Sequence, residues 1–132
     1  MENKYSGLLK KNSIMPTKQR LEIAEIIFKK HQHFTANEII DRIKTSNLSI
    51  SQATIYNTLC TFESKGLLKM IDMQNNCKFY DTNLESHHHV YNISTNKLMD
   101  IALDKVEFSR LPEIPKNLVL EQTEVLIKVR NK

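Results

Sequence analysis

The apolar residues change their period at Gly66. Before it they recur every three or four positions, and after it they alternate. A helical period does not sit still as a strand, and a period of two does not make a helix, so the switch orders the elements: helices first, sheet second. "TKQRLEIAEIIFKKH" follows Pro16, which blocks helix before it, and Thr17 is placed to cap. Leu21, Ala24, Ile27 and Phe28 lie there at helical spacing. "TANEIIDRIKTSN" sets Thr35 three residues ahead of Glu38, a capping box, with Ile39, Ile40 and Ile43 as its apolar face. "SQATIYNTLCTFESKG" opens on Ser51 and closes at Gly66, a C-cap, with Ala53, Leu59 and Phe62 predicted inward. Ahead of these three, "KYSGLLKKNSIM" predicts a short basic amphipathic helix ending near Asn12. "LLKMIDMQNNCKFYD" then predicts two short strands joined at Gln74-Asn75-Asn76.

Three helices followed by a hairpin make a winged helix-turn-helix, with residues 51–65 as recognition helix and the hairpin as wing. The first half of that helix, "SISQATIYNT", is small and polar and carries Tyr56 and Asn57. Asn pairs bidentately with adenine, and Tyr reaches a phosphate or a thymine methyl. The competing reading is a solvated helix face with a tyrosine lying along it. Charge favours DNA. Residues 1–80 hold twelve Lys or Arg against seven Asp or Glu, a net +5, while residues 81–132 hold seven against eight, a net −1. A basic first part beside a neutral second part suits a polyanion. Lys10, Lys11, Lys18 and Arg20 are the candidate phosphate contacts, and Ser51, Gln52, Thr54, Tyr56 and Asn57 lie on the reading helix.

The second part alternates. "HHHVYNIS" and "KLMDIAL" predict strands around a turn at Thr95-Asn96, "DKVEFSRL" a short helix stopped by Pro112, and "NLVLEQTEVLIKVR" one long strand. Such a module of about fifty residues buries too little to stand alone. Pairing with a second copy is predicted, and a two-fold dimer would present two recognition helices to a dyad-symmetric site. The fold class is α/β in the sense of α+β: a winged-helix domain over residues 1–82 and a small α/β dimerisation domain over 83–132.

Three of five histidines stand in a row at His87, His88 and His89. On residues alone the run is open to a metal site, a haem site or a surface accident. On a strand, His87 and His89 project from one face and His88 from the other. Cys60, inside an apolar helical pattern, is predicted to be a buried core thiol, and Cys77 an ordinary strand residue; neither forms a CxxC pair. No apolar run approaches the ~20 residues that span a bilayer, and "MENKYSGLLKKNSIM" lacks a signal-peptide core. A cytoplasmic location is expected. There is no nucleophile elbow, phosphate loop or zinc-protease motif, so an enzyme is not expected.

"MPTKQRLEI", "HFTANEII", "ISQATIYNTLCTFESKGLL" and "HHHV", in this order, resemble the ferric uptake regulator family over roughly residues 10–130. The resemblance implies metal-responsive transcription regulators with an N-terminal winged helix and a C-terminal dimerisation domain. Carried onto this chain, the family's regulatory metal site implies His33, Asp81, His87, His89 and Asp100 as ligands, with His33 on a loop. Imidazoles and carboxylates together suit iron(II), manganese(II) or zinc(II). His88 is expected at the surface or in a second, weaker site with Glu107. The CxxC that builds a structural zinc site in many members is here Asn92 and Thr95, so no structural cysteine zinc site is expected. The triple histidine, the lost CxxC and "YNTL" resemble the iron response regulator branch, which is associated with haem. This chain has no Cys-Pro haem motif, so haem would have to use the histidine run. A metal-buffering protein of the same fold and a peroxide sensor are the alternatives.

Overall fold

The computed structural model describes residues 3–73 and 77–132. The chain divides into two compact units, Met1–Leu84 and Glu85–Lys132.

In the first unit, α1 (Ser6–Lys11), α2 (Lys18–Ile27), α3 (Ala36–Lys44) and α4 (Gln52–Ser64) precede a small sheet. The predicted caps form. Thr17 accepts a hydrogen bond from the Arg20 N–H, Thr35 from the Glu38 N–H and Ser51 from the Thr54 N–H. Gly66 has φ +83. There the Gly66 N–H bonds the Glu63 carbonyl and the Leu67 N–H bonds the Phe62 carbonyl, at 3.0 and 2.8 Å. This is the Schellman arrangement, and its left-handed residue favours glycine. Ile39, Ile40 and Ile43 of α3 and Ile55, Leu59 and Phe62 of α4 are buried in one core with Ile23, Ala24 and Ile27 of α2. Each Ile, Leu or Phe among them, fully buried, stabilises by ~1.5–3 kcal/mol. Phe28 bridges Tyr5 and Phe62, with ring centroids 6.1 and 5.6 Å away.

Two expectations for α4 fail together. Ala53 and Cys60 are exposed. The buried face of the helix runs through Ile55, Thr58, Leu59 and Phe62. At 100° per residue, positions 53, 56, 57 and 60 share the opposite face.

The wing is larger than predicted. β1 (His33–Phe34) joins β2 (Lys69–Asp72) and β3 (Lys78–Asp81) in an antiparallel sheet of order β1-β3-β2. His33 is therefore not a loop residue; it pairs with Asp81 in register. Two residues are too short to leave a periodic signal in the sequence. The expected turn at Gln74-Asn75-Asn76 lies outside the described residues. Cys77 is half-buried just ahead of β3, not within it.

In the second unit, β4 (His88–Asn92), β5 (Lys97–Ile101) and β6 (Leu126–Val129) form a sheet of order β5-β4-β6. β4 and β5 are antiparallel, with Asn96 at φ +58 in the predicted turn. β6 runs parallel to β4. The long strand expected near the C-terminus shrinks to these four residues, because only they find a partner strand. The helix expected at "DKVEFSRL" is a single 3-10 turn, Leu103–Lys105. Val106 is already extended, at φ −124 and ψ 122, which ends the turn after Lys105. Tyr91 and Leu98 are the buried apolar residues of this unit, beside all three histidines of the run.

Candidate metal centre

The register of β4 and β5 builds one side of the site. His89 lies opposite Asp100, and His87 immediately precedes β4. His87 Nε2 is 3.2 Å and His89 Nε2 is 3.6 Å from the same oxygen, Asp100 Oδ1. The two rings are 4.5 Å apart. Both imidazoles are buried, and the carboxylate side chain is 41% exposed.

The hydrogen bonding of His87 bears on whether a cation fits. Its Nδ1 lies 2.7 Å from the Glu85 carbonyl oxygen. A carbonyl only accepts, so Nδ1 donates, and in a neutral ring Nε2 then carries the lone pair. That lone pair is aimed at a carboxylate oxygen. Such an arrangement is repulsive unless a proton or a metal ion lies between. Metal bonds of ~2.0–2.2 Å set adjacent ligand atoms roughly 3–3.5 Å apart, close to the separations found here. The Glu85 carbonyl is the kind of outer partner that fixes the tautomer of a metal-binding histidine. Sequence reasoning missed Glu85, because a backbone acceptor leaves no trace in side-chain pattern.

In the first unit, His33 and Asp81 pair across β1 and β3, and the His33 ring meets Phe79 edge-on with centroids 6.3 Å apart. Asp81 is 1% exposed and accepts the Asn83 N–H at 2.9 Å. A carboxylate so buried needs several donors or a cation.

His88 is not at the surface. It is 1% exposed, its Nδ1 accepts the Val125 N–H at 2.9 Å, and its ring lies against Phe108. Glu107 is exposed, and among the described residues no metal-capable cluster joins it to His88. The pleat turns the middle histidine away from its neighbours, as alternation requires. Its partner Val125 stands 37 residues on, beyond any local signal.

The other predicted functional residues lie in the first unit. Tyr56 and Asn57 are exposed on α4, and the Tyr56 hydroxyl donates to Asn37 of α3 at 3.3 Å. Burial, ahead of the nearby Cys60, Glu63 and Tyr56, raises the pKa of the Tyr80 phenol. An open groove of about 480 Å³ is lined by Met15, Thr17, Arg20, Thr54, Asn57 and Thr58. Arg20 donates to the Met15 carbonyl at 3.0 Å along this groove. Ser51 and Thr54 bond each other within the helix cap, at 2.9 Å between hydroxyls. Gln52 is exposed on the first turn of α4, and Lys18 on the first turn of α2. Lys10 and Lys11 are exposed in the last turn of α1, where they also complement the helix dipole.

A family profile described as ferric uptake regulator family matches residues 11–129. The chain belongs to the ferric uptake regulator family. Among its relatives in sequence, the peroxide-responsive repressor PerR of Staphylococcus epidermidis is 32% identical over 102 residues, 75% of this chain and 68% of that repressor. The repressor of the same name from Staphylococcus aureus is 30% identical over 106 residues, 80% of this chain and 72% of its own length. In fold, the ferric uptake regulator from Pseudomonas aeruginosa with manganese has a TM-score of 0.74 at 18% identity, covering 98% of both chains. The ferric uptake regulator from Francisella tularensis with iron has a TM-score of 0.73 at 20% identity, covering 90% of this chain and 92% of its own. None of these names speaks for the iron response branch. Among the described residues no helix is long and apolar enough to cross a membrane.

Proposed function

We propose that this member of the ferric uptake regulator family is a metal-responsive transcription regulator that binds dyad-symmetric DNA as a homodimer. The observation that carries the metal reading is the aim of two buried imidazole nitrogens, His87 Nε2 and His89 Nε2, at Asp100 Oδ1. His33 and Asp81 complete the ligand set by resemblance to the family. Iron(II), manganese(II) or zinc(II) suits these donors, and the ion would supply a fixed positive charge that holds them together. Three proposed ligands come from the second unit and two from the first. An ion bound to all five would favour one arrangement of reading helix and dimerisation sheet, so metal and DNA affinities would be linked and reciprocal. The exposed apolar residues of the second unit, among them Phe108, Leu118, Val119 and Ile127, support pairing with a second copy.

The test is fluorescence anisotropy on DNA from the gene's own upstream region at fixed salt, with manganese(II), with chelator and with haem. Metal-dependent binding abolished by chelator supports the reading. Binding that persists in chelator and is lost on adding haem would favour a haem-linked release switch instead. For haem, however, His88 would have to leave a pocket in which it is 1% exposed and already bonded.

A second reading is peroxide sensing, favoured by the identity to peroxide-responsive repressors. His87 and His89 would hold iron(II) there, and with peroxide as the oxidant that ion would supply the chemistry for oxidising a nearby imidazole. Peroxide treatment of the iron(II) form, but not the manganese(II) form, should then add one oxygen atom to His87 or His89, read by peptide mass spectrometry. An unmodified peptide with retained DNA binding would eliminate this reading.

A further inference from the structure

We propose that His88 is a positioning residue for the metal site: it fixes the aim of His87 and His89 by gripping the backbone at Val125. The inference rests on the metal reading above.

One residue, Val125, holds β4 at two places. Its N–H donates to His88 Nδ1 at 2.9 Å, and its carbonyl accepts the His89 N–H at 3.0 Å. The ladder then continues from His89 opposite Leu126 to Asn92 opposite Val129. The two Val125 bonds therefore set the register at the end of β4 that carries the metal-directed imidazoles. That register matters because side chains alternate across a strand, so a slip of one residue would exchange His88 for His87 and His89. Every other feature of His88 fits an anchor. It is fully buried, its acceptor nitrogen is used by a backbone donor, and Phe108 packs on its ring at 6.0 Å. A ring whose Nδ1 accepts from an amide carries its proton on Nε2, so this pairing also selects the tautomer. In β4 the middle histidine thus turns inward to fix the strand, while its two neighbours turn toward Asp100.

The test uses the full-length protein and cobalt(II), whose visible absorption reports ligand geometry. Asn at position 88 keeps an acceptor near the place of Nδ1; Leu removes it. His88→Leu should weaken cobalt(II) binding by ~10–100-fold, the usual cost of losing an outer-shell anchor, and change the band shape. His88→Asn should keep both affinity and band within a few-fold of the parent. A merely structural His88 would lower the melting temperature in both variants and leave the spectrum of the folded fraction unchanged, which would overturn the proposal. So would equal losses in the two variants. Should His88→Leu fail to fold, nitrogen-15 NMR of the parent decides. A coupling across the hydrogen bond between the Val125 amide and His88 Nδ1 is expected in apo and loaded protein, and its absence in both overturns the grip. A parent protein that binds no cobalt(II) overturns the metal reading itself and this inference with it.

Discussion

His89 stands directly opposite Asp100 across β4 and β5. The first unit repeats the relationship, with His33 opposite Asp81 across β1 and β3. Side chains directly opposite in an antiparallel pair have Cβ atoms ~4.5–5.5 Å apart, so backbone register alone brings an imidazole and a carboxylate within reach of one ion. Asp100 is the more exposed partner of its pair and the oxygen on which His87 and His89 converge. Asp100→Ala should therefore reduce metal affinity by at least the ~10–100-fold typical of outer-shell losses. Competition against a fluorescent chelator measures it. Parent-like affinity would remove Asp100 from the ligand set.

Ser51 separates two roles that the sequence left merged. Its hydroxyl caps α4 by accepting the Thr54 N–H at 3.1 Å. Ser51→Ala should lower stability by ~0.5–2 kcal/mol, whereas Ser51→Asp keeps a competent cap. Aspartate near phosphate is repelled, so Ser51→Asp should melt like the parent yet bind DNA more weakly. Parent-like DNA affinity in Ser51→Asp would mean that the helix start lies away from the backbone of the duplex.

Gly66 closes the same helix at φ +83, and beyond its own chain neighbours nothing lies within 4 Å of where a Cβ would sit. The cost of alanine there is conformational and not steric contact with neighbours. Gly66→Ala should destabilise by roughly 1–2 kcal/mol, the left-handed penalty for an L-residue. Denaturant titration reads it, and an unchanged midpoint at constant slope would contradict the assignment.

Phosphate contacts and base contacts leave different signatures. Lys10→Ala, Lys11→Ala and Lys18→Ala should each weaken specific and random DNA alike and flatten the salt dependence by about one unit of slope. Asn57→Ala should instead reduce preference among sequences, costing ~1–3 kcal/mol at one base pair. Titrations at several salt concentrations on operator and random duplexes separate the two. Equal losses on both duplexes for Asn57→Ala would deny it a reading role.

Local chemistry explains which parts were legible. Caps at Thr17, Thr35, Ser51 and Gly66 are written within four residues, and each formed. The turn at Thr95-Asn96 was equally local. What escaped depends on distant partners. β1 exists because β3 lies beside it, β6 is short because β4 is short, and His88 is buried because Val125 comes from 37 residues away. Cys60 reads as buried because its apolar neighbours at 59 and 62 widen the face, yet it is exposed. The convergence of His87 and His89 on one carboxylate oxygen needed both the strand pleat, which was predictable, and the β4–β5 register, which was not.

No residue of β6 is fully buried, and Leu126, Ile127 and Val129 are each 37–40% exposed, so apolar burial holds the strand only in part. Polar side chains tie its far end instead. Asn92 Oδ1 accepts the Ser94 and Thr95 N–H groups at 2.9 and 3.3 Å, and Asn92 Nδ2 donates to Asn131 Oδ1 at 3.0 Å. The Asn131 N–H returns a bond to Ser94 Oγ at 3.0 Å. By the resemblance, Asn92 and Thr95 stand where many members of the family carry the CxxC of a structural zinc site. Here the turn and the C-terminus are joined by hydrogen bonds in that region. Each contributes a net ~0.5–1.5 kcal/mol, so Asn92→Ala, which breaks three, should lower stability by about 1–3 kcal/mol after solvent replaces part of the loss. A strong zinc chelator should leave the melting temperature of the apo protein unchanged. Thermal melts of parent and variant, with and without chelator, test both statements, and a parent that loses stability in chelator would reveal a structural metal that these residues do not account for.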